Sequence, residues 1–119
     1  MKQKVLIIDD EKDICLLLSH ILKDMGYDAQ YCHSHNEGKL KFASIKPDVM
    51  FLDIHLPDGN GLDEVPGFRS LDPKVPIMII SAYDSPGELR KAKKFEVSAF
   101  IMKPFKREHV VTALQNIAS

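Results

Sequence analysis

Four continuous apolar runs, each followed directly by a polar residue, constrain this chain more than any other feature. They are Val5-Leu6-Ile7-Ile8, Val49-Met50-Phe51-Leu52, Ile77-Met78-Ile79-Ile80 and Ala99-Phe100-Ile101-Met102. Runs this short and this continuous imply strands buried on both faces, as in a parallel sheet with helices on either side. A fifth run, Asp28-Ala29-Gln30-Tyr31-Cys32, alternates and reads as an edge strand. The starts, at residues 5, 28, 49, 77 and 99, lie 21 to 28 residues apart, which leaves room for one crossover helix each time.

The intervening segments carry helical signals. Ile14, Leu17, Leu18, Ile21, Leu22 and Met25 fall at i, i+3, i+4, i+7, i+8 and i+11, one apolar stripe. Asp10 or a neighbour is placed to cap that helix, and Gly26 to end it. Ser34-His35-Asn36-Glu37 and Ser85-Pro86-Gly87-Glu88 both fit a capping box. Val110, Ala113, Leu114 and Ile117 give the last helix an inward stripe. The third helix begins near Gly61-Leu62-Asp63, and Pro66-Gly67 predicts a kink in it or a late start. The pattern is a (βα)₅ chain, an α/β fold with an open, doubly wound, five-stranded parallel sheet.

Composition narrows the classes. With 119 residues the chain makes a single domain, residues 1–119, with no linker or repeat. A net charge of −1 gives no overall field towards nucleic acid or an anionic membrane. The longest apolar runs are far below the roughly 20 residues needed to span a bilayer. The start, Met1-Lys2-Gln3-Lys4, leads into a run too short for a signal-peptide core, so the expected location is the cytoplasm. Cys15 and Cys32 form no CxxC and read as buried thiols. His33-x-His35 has no partners at metal-ligand spacing and reads as a surface loop, and Lys91, Lys93 and Lys94 as a solvated helical face.

In an open α/β sheet, ligands bind beyond the carboxyl ends of the strands. There the chain places Asp9, Asp10 and Glu11 after the first run, Asp53 after the third, Ser81 after the fourth, and Lys103-Pro104 after the fifth. Carboxylates about 5 Å apart at an effective dielectric near 20 repel by roughly 3 kcal/mol per pair. Asp9, Asp10 and Asp53 held together as anions therefore need a cation, and Mg²⁺ suits hard oxygen ligands and a phosphate. Lys103 supplies a fixed positive charge and Ser81 a hydroxyl donor. Such a set fits a phosphoryl group in transfer, with an aspartate as nucleophile.

The motifs Ile7-Ile8-Asp9-Asp10-Glu11, Phe51-Leu52-Asp53-Ile54-His55-Leu56-Pro57-Asp58-Gly59, Ile80-Ser81-Ala82-Tyr83 and Phe100-Ile101-Met102-Lys103-Pro104-Phe105 occur in order, each at a strand end. Over its length, from Lys4 to about Ala118, the chain resembles the receiver domain of two-component response regulators. The resemblance implies a flavodoxin-like receiver fold with strand order 2-1-3-4-5. It implies that Asp53 is the phosphoacceptor, and that Asp9, Asp10, Asp53 and the backbone carbonyl of His55 hold Mg²⁺. Ser81 and Lys103 would meet the phosphoryl oxygens, and Ser81 and Phe100 would form the switch. His55 and Tyr83 would tune the phosphoryl lifetime, and Lys103-Pro104 would be cis.

By the same resemblance the domain is no enzyme beyond its own phosphorylation and dephosphorylation. A sensor histidine kinase or phosphotransfer protein would supply the phosphoryl group, and a downstream protein target or an attached effector domain would read the change. No direct nucleic-acid binding and no membrane contact follow, while a homodimer through the fourth-helix face is compatible. With no output module after Ser119, the domain is expected to dock alone or to form part of a longer regulator.

The chain departs from the family pattern at Glu96-Val97, where a glycine is usual, at Pro66-Gly67, and at Lys106, where a capping Asp or Ser is common. An aspartate-nucleophile phosphohydrolase is disfavoured because His55 stands where that class has its general-acid aspartate. A degenerate receiver is disfavoured because Asp9, Asp10, Asp53, Ser81 and Lys103 are all present, and a dinucleotide binder because no G-x-G-x-x-G follows the first strand.

Overall fold

The computed structural model describes residues 2–82 and 85–118. The elements are β1 (Lys4–Ile8), α1 (Lys12–Asp24), β2 (Asp28–Cys32), α2 (His35–Ile45), β3 (Val49–Asp53), the short strands β4 (His55–Leu56) and β5 (Gly59–Asn60), α3 (Gly61–Leu71), β6 (Ile77–Ser81), α4 (Pro86–Lys94), β7 (Ala99–Met102) and α5 (Arg107–Ala118). The five long strands pair in parallel in the order β2-β1-β3-β6-β7. Counted without the β4–β5 hairpin, which pairs antiparallel with itself, this is the expected 2-1-3-4-5 order.

Two cores follow from the period-2 alternation of strand side chains. Val5, Ile7, Val49, Phe51, Met78 and Ile80 face α1 and α5, joining Leu18, Leu22, Val110 and Leu114. Leu6, Ile8, Met50, Leu52, Ile77 and Ile79 face the opposite layer, with Phe42, Leu62, Val65, Phe68 and Ala92. Every residue of β3 and β6 is buried, which is why those runs read as continuous. Among described residues, α4 buries only Ala92 and is the most loosely embedded helix.

Both serines cap their helices, but the glutamate of each predicted box accepts from the serine hydroxyl rather than from its backbone N–H. Ser34 accepts the Glu37 N–H, and Ser85 accepts the Glu88 N–H. The start of α1 differs: its N-cap is Glu11, which makes no side-chain cap bond. The buried side of α1 is centred on Cys15, Leu18, Ser19, Ile21 and Leu22. Leu17 is 46% exposed, so the apolar stripe read from the sequence is rotated, and Ser19 takes the inward place. Helix α3 begins at Gly61 and continues through Pro66 to Leu71, with no late start. Pro66 is the sixth of the eleven residues of α3, past the first turn, and burial of Leu62, Val65 and Phe68 around it offsets the one lost backbone bond. Lys106 precedes α5, and its N–H is accepted by His109 Nδ1, the returning arm of a capping box built from a histidine.

Helices α1 and α4 end alike. The Gly26 and Tyr27 N–H groups reach the Lys23 and Leu22 carbonyls, and the Glu96 and Val97 N–H groups reach the Lys93 and Ala92 carbonyls. Both are Schellman ends, which need a left-handed residue. In α1 that residue is Gly26 (φ 92°), and in α4 it is Glu96 (φ 57°). The turn before β7 thus keeps the glycine backbone geometry without the glycine. Cys15 and Cys32 are buried free thiols. Contrary to the surface-loop reading, His35 is 1% exposed and His33 half-buried, because the β4–β5 hairpin and the end of β1 cover them.

Candidate functional site

Parallel pairing puts all strand carboxyl ends on one edge, and there the polar strand-end residues converge. Asp53 is the last residue of β3 and Ser81 the last of β6, while Asp9 and Asp10 follow β1 and Lys103 follows β7. Asp9, Asp53 and Ser81 are buried, and Asp10 is exposed at the mouth. One carboxylate oxygen from each of Asp9, Asp10 and Asp53 lies within 4.8 Å of the others. Three hard oxygen donors so close form a set that a divalent cation of the Mg²⁺ type can share.

The Lys103 ammonium is the fixed counter-charge. Its Nζ lies 2.9 Å from Asp9 Oδ2, 2.9 Å from Glu11 Oε1 and 3.4 Å from Asp53 Oδ2. Burial alone would lower the Lys103 pKa. Its bonds to Asp9 and Glu11 and the Asp53 charge outweigh that and hold the ammonium above its ordinary value. Burial, and then the neighbouring Asp9 charge, push the Asp53 carboxyl well above the carboxylate range, with Lys103 opposing. One cation among these carboxylates leaves the cluster short of positive charge.

The backbone around the acids is tied down. The Asp9 N–H reaches the Cys32 carbonyl, and Asp9 Oδ1 accepts the Glu11 N–H at 2.9 Å. His33 Nδ1 donates to the Asp9 carbonyl at 2.9 Å, and the Cys15 thiol donates to the same oxygen at 3.3 Å. The His55 N–H donates to Asp53 Oδ1 at 3.3 Å. Gly61 has no alternative beneath this loop: a Cβ there would stand 2.2 Å from the Asp53 carbonyl oxygen. The Lys103 N–H donates to the Ser81 carbonyl at 2.7 Å, and the Lys103–Pro104 peptide is cis.

Glu11 and His33 join the site beyond the strand-end set of Asp9, Asp10, Asp53, Ser81 and Lys103. Glu11 was visible only as a third acid beside Asp9-Asp10. His33 directly follows the strand that pairs with β1, and that adjacency was its one signal.

Away from the acids, Phe100 is half-buried and borders an open groove of about 580 Å³ with Met102, Pro104, His109 and Thr112. His55 Nε2 lies 3.3 Å from Glu88 Oε2 at the start of α4. Lys91 pairs with Asp63 of α3 at 2.8 Å. Tyr83 lies outside the described residues. No helix among the described residues is long and apolar enough to cross a membrane.

Comparison with known proteins identifies what the chain resembles. The profile of the response regulator receiver domain matches residues 5–115. The chain is 32% identical over 119 residues to the chemotaxis protein CheY of Thermotoga maritima, covering 99% of both. It is 36% identical to the response regulator protein PilR of Pseudomonas aeruginosa, covering 96% of this chain and 26% of that protein. Among solved structures, chemotaxis protein CheY4 of Vibrio cholerae superposes with a TM-score of 0.91 at 27% identity, covering 98% of this chain and 99% of that one.

Proposed function

The chain belongs to the response regulator receiver domain family, and on that premise we propose that residues 1–119 act as one receiver in which Asp53 is the phosphoacceptor. The observation that carries this reading is the meeting of Asp9, Asp10 and Asp53 within 4.8 Å, with Lys103 against two of them. A buried carboxylate beside a fixed ammonium and a shared cation site is placed to attack a phosphorus atom and to be stabilised afterwards.

In the transfer, an Asp53 Oδ attacks the phosphorus of a phosphohistidine on a sensor kinase or phosphotransfer protein. The P–O bond forms as the P–N bond breaks, and the leaving imidazole takes up a proton. Asp9, Asp10, Asp53 and the His55 carbonyl would hold Mg²⁺, which when bound neutralises charge on the phosphoryl oxygens. Lys103 exchanges its contact with Asp53 for one with a phosphoryl oxygen. The Ser81 hydroxyl donates to another, and Phe100 turns inward as Ser81 shifts. In the separate dephosphorylation step water attacks the phosphorus, the P–O bond to Asp53 breaks so that Asp53 leaves as a carboxylate, and inorganic phosphate is released, at a rate tuned by His55 and Tyr83. The chain's chemistry is limited to its own phosphorylation and dephosphorylation. It works in the cytoplasm, and a downstream protein or an attached effector domain reads the outcome.

Beryllofluoride, a phosphoryl mimic, tests the reading. With Mg²⁺ it should shift backbone NMR signals at Asp53, Ser81 and Phe100, and Asp53→Asn should abolish all three. Shifts that persist in the variant would remove Asp53 from its role.

A further inference from the structure

The segment between Asp53 and α3 carries the His55 carbonyl, yet it folds only into the two-residue strands β4 and β5. A hairpin of that size is not stable by itself. Its lower end is held by the Gly61 N–H to the Ile54 carbonyl and by the Asn60 side chain, which accepts the Leu62 N–H. Its tip is held by a different part of the chain. Asp58 Oδ1 accepts the His35 N–H at 3.0 Å, and Asp58 Oδ2 accepts the Asn36 N–H at 3.1 Å.

Both donors belong to the first turn of α2, whose N–H groups lack helical partners and whose dipole favours a negative charge. Those N–H bonds hold the Asp58 carboxyl below the usual carboxylate range. The imidazole of His35 forms the floor of the hairpin. It is 1% exposed, its Nδ1 lies 3.5 Å from Asp58 Oδ1, and it stands 3.7 Å from where a Cβ on Gly59 would be. Helix α2 is anchored in turn by Phe42 in the core.

We propose that Asp58 is a positioning residue for the metal site: by clamping the hairpin tip to the first turn of α2 above His35, it fixes where the His55 carbonyl points. This rests on the reading that His55 contributes that carbonyl to Mg²⁺. Both Asp58 carboxylate oxygens accept from α2 N–H groups, and Asp58 is not among the clustered acids Asp9, Asp10 and Asp53. Changing a group that orients a metal ligand lowers metal affinity by about 10–100-fold.

The test compares Asp58→Ala with Ser34→Ala. The second removes the side-chain cap of the same helix at Glu37 and leaves the hairpin clamp intact. Mg²⁺ affinity is read by NMR titration, and hydrogen exchange of the 55–60 amides is read in the metal-free protein. Asp58→Ala should weaken Mg²⁺ about tenfold and speed exchange across the hairpin, while Ser34→Ala changes neither. Asp58→Asn, which keeps one acceptor, should fall between.

Wild-type affinity in Asp58→Ala overturns the inference and leaves the proposed function standing. Equal loss in Ser34→Ala also overturns it, because helix stability alone would then explain the effect. Absence of Mg²⁺ binding in the wild-type protein overturns the metal reading instead, and hairpin exchange alone then decides whether the clamp exists.

Discussion

Lys103 Nζ lies 2.9 Å from Asp9 Oδ2, joining the loop after β7 to the loop after β1 across the top of the sheet. Lys103 is 9% exposed at its side chain and the Asp9 side chain fully buried, so water screens the pair little. Removing one partner of a buried pair leaves an uncompensated charge and destabilises by about 3–5 kcal/mol. Lys103→Ala should therefore lower metal-free stability in urea by about 3 kcal/mol, and Mg²⁺ should recover part of it by supplying the missing charge. The same variant should still bind Mg²⁺ but lose the beryllofluoride shift at Phe100. A variant as stable as wild type without metal would contradict the placement of Lys103 as the counter-charge.

Asp53 makes the metal-free protein pH-sensitive. Burial and the Asp9 charge raise its folded pKa from the ordinary 3.8 to about 7, so the neutral carboxyl is the form the fold prefers. Its contribution to stability is complete below the unfolded value and is lost as pH rises through the folded one. Metal-free protein should thus lose stability at this group between about pH 4 and 7. Asp53→Asn should flatten that part of the curve, measured as the urea midpoint against pH. Identical pH profiles for the two proteins would contradict it.

Glu96 holds a left-handed backbone at the end of α4, where α1 uses Gly26 in the same hydrogen-bonded motif. A non-glycine residue in that conformation costs about 1–2 kcal/mol, and glycine gives back part of the gain through the unfolded chain. Glu96→Gly should raise stability by about 0.5–1 kcal/mol, read as a shifted thermal midpoint. A destabilised variant would show that the Glu96 side chain makes contacts worth more than the strain.

The parts of this molecule legible in the sequence are those set by neighbours along the chain. Continuous apolar runs gave β1, β3, β6 and β7, and Ser34-Glu37 and Ser85-Glu88 gave two helix starts, because each depends on residues a few positions apart. The residues after each run also identified the edge where Asp9, Asp53, Ser81 and Lys103 meet, since a parallel sheet sends every strand end the same way. What escaped depends on distant partners. Glu11 finds Lys103 across 92 positions, and His35 is buried only because the hairpin around Asp58 folds over it. Leu17 obeys the helical period, yet the sheet takes Ser19 instead, a rotation that no single-helix pattern contains. Pro66-Gly67 predicts a kink or a late start, yet core burial at Leu62, Val65 and Phe68 starts α3 at Gly61 and carries it past the proline.

The central claim is that Asp53 accepts the phosphoryl group. Intact-mass measurement and peptide mapping after incubation with acetyl phosphate and Mg²⁺ test it most directly. The account predicts one phosphoryl adduct, mapped to the peptide containing Asp53, absent without Mg²⁺ and absent in Asp53→Asn. An adduct on another residue, or one that survives Asp53→Asn, would contradict it.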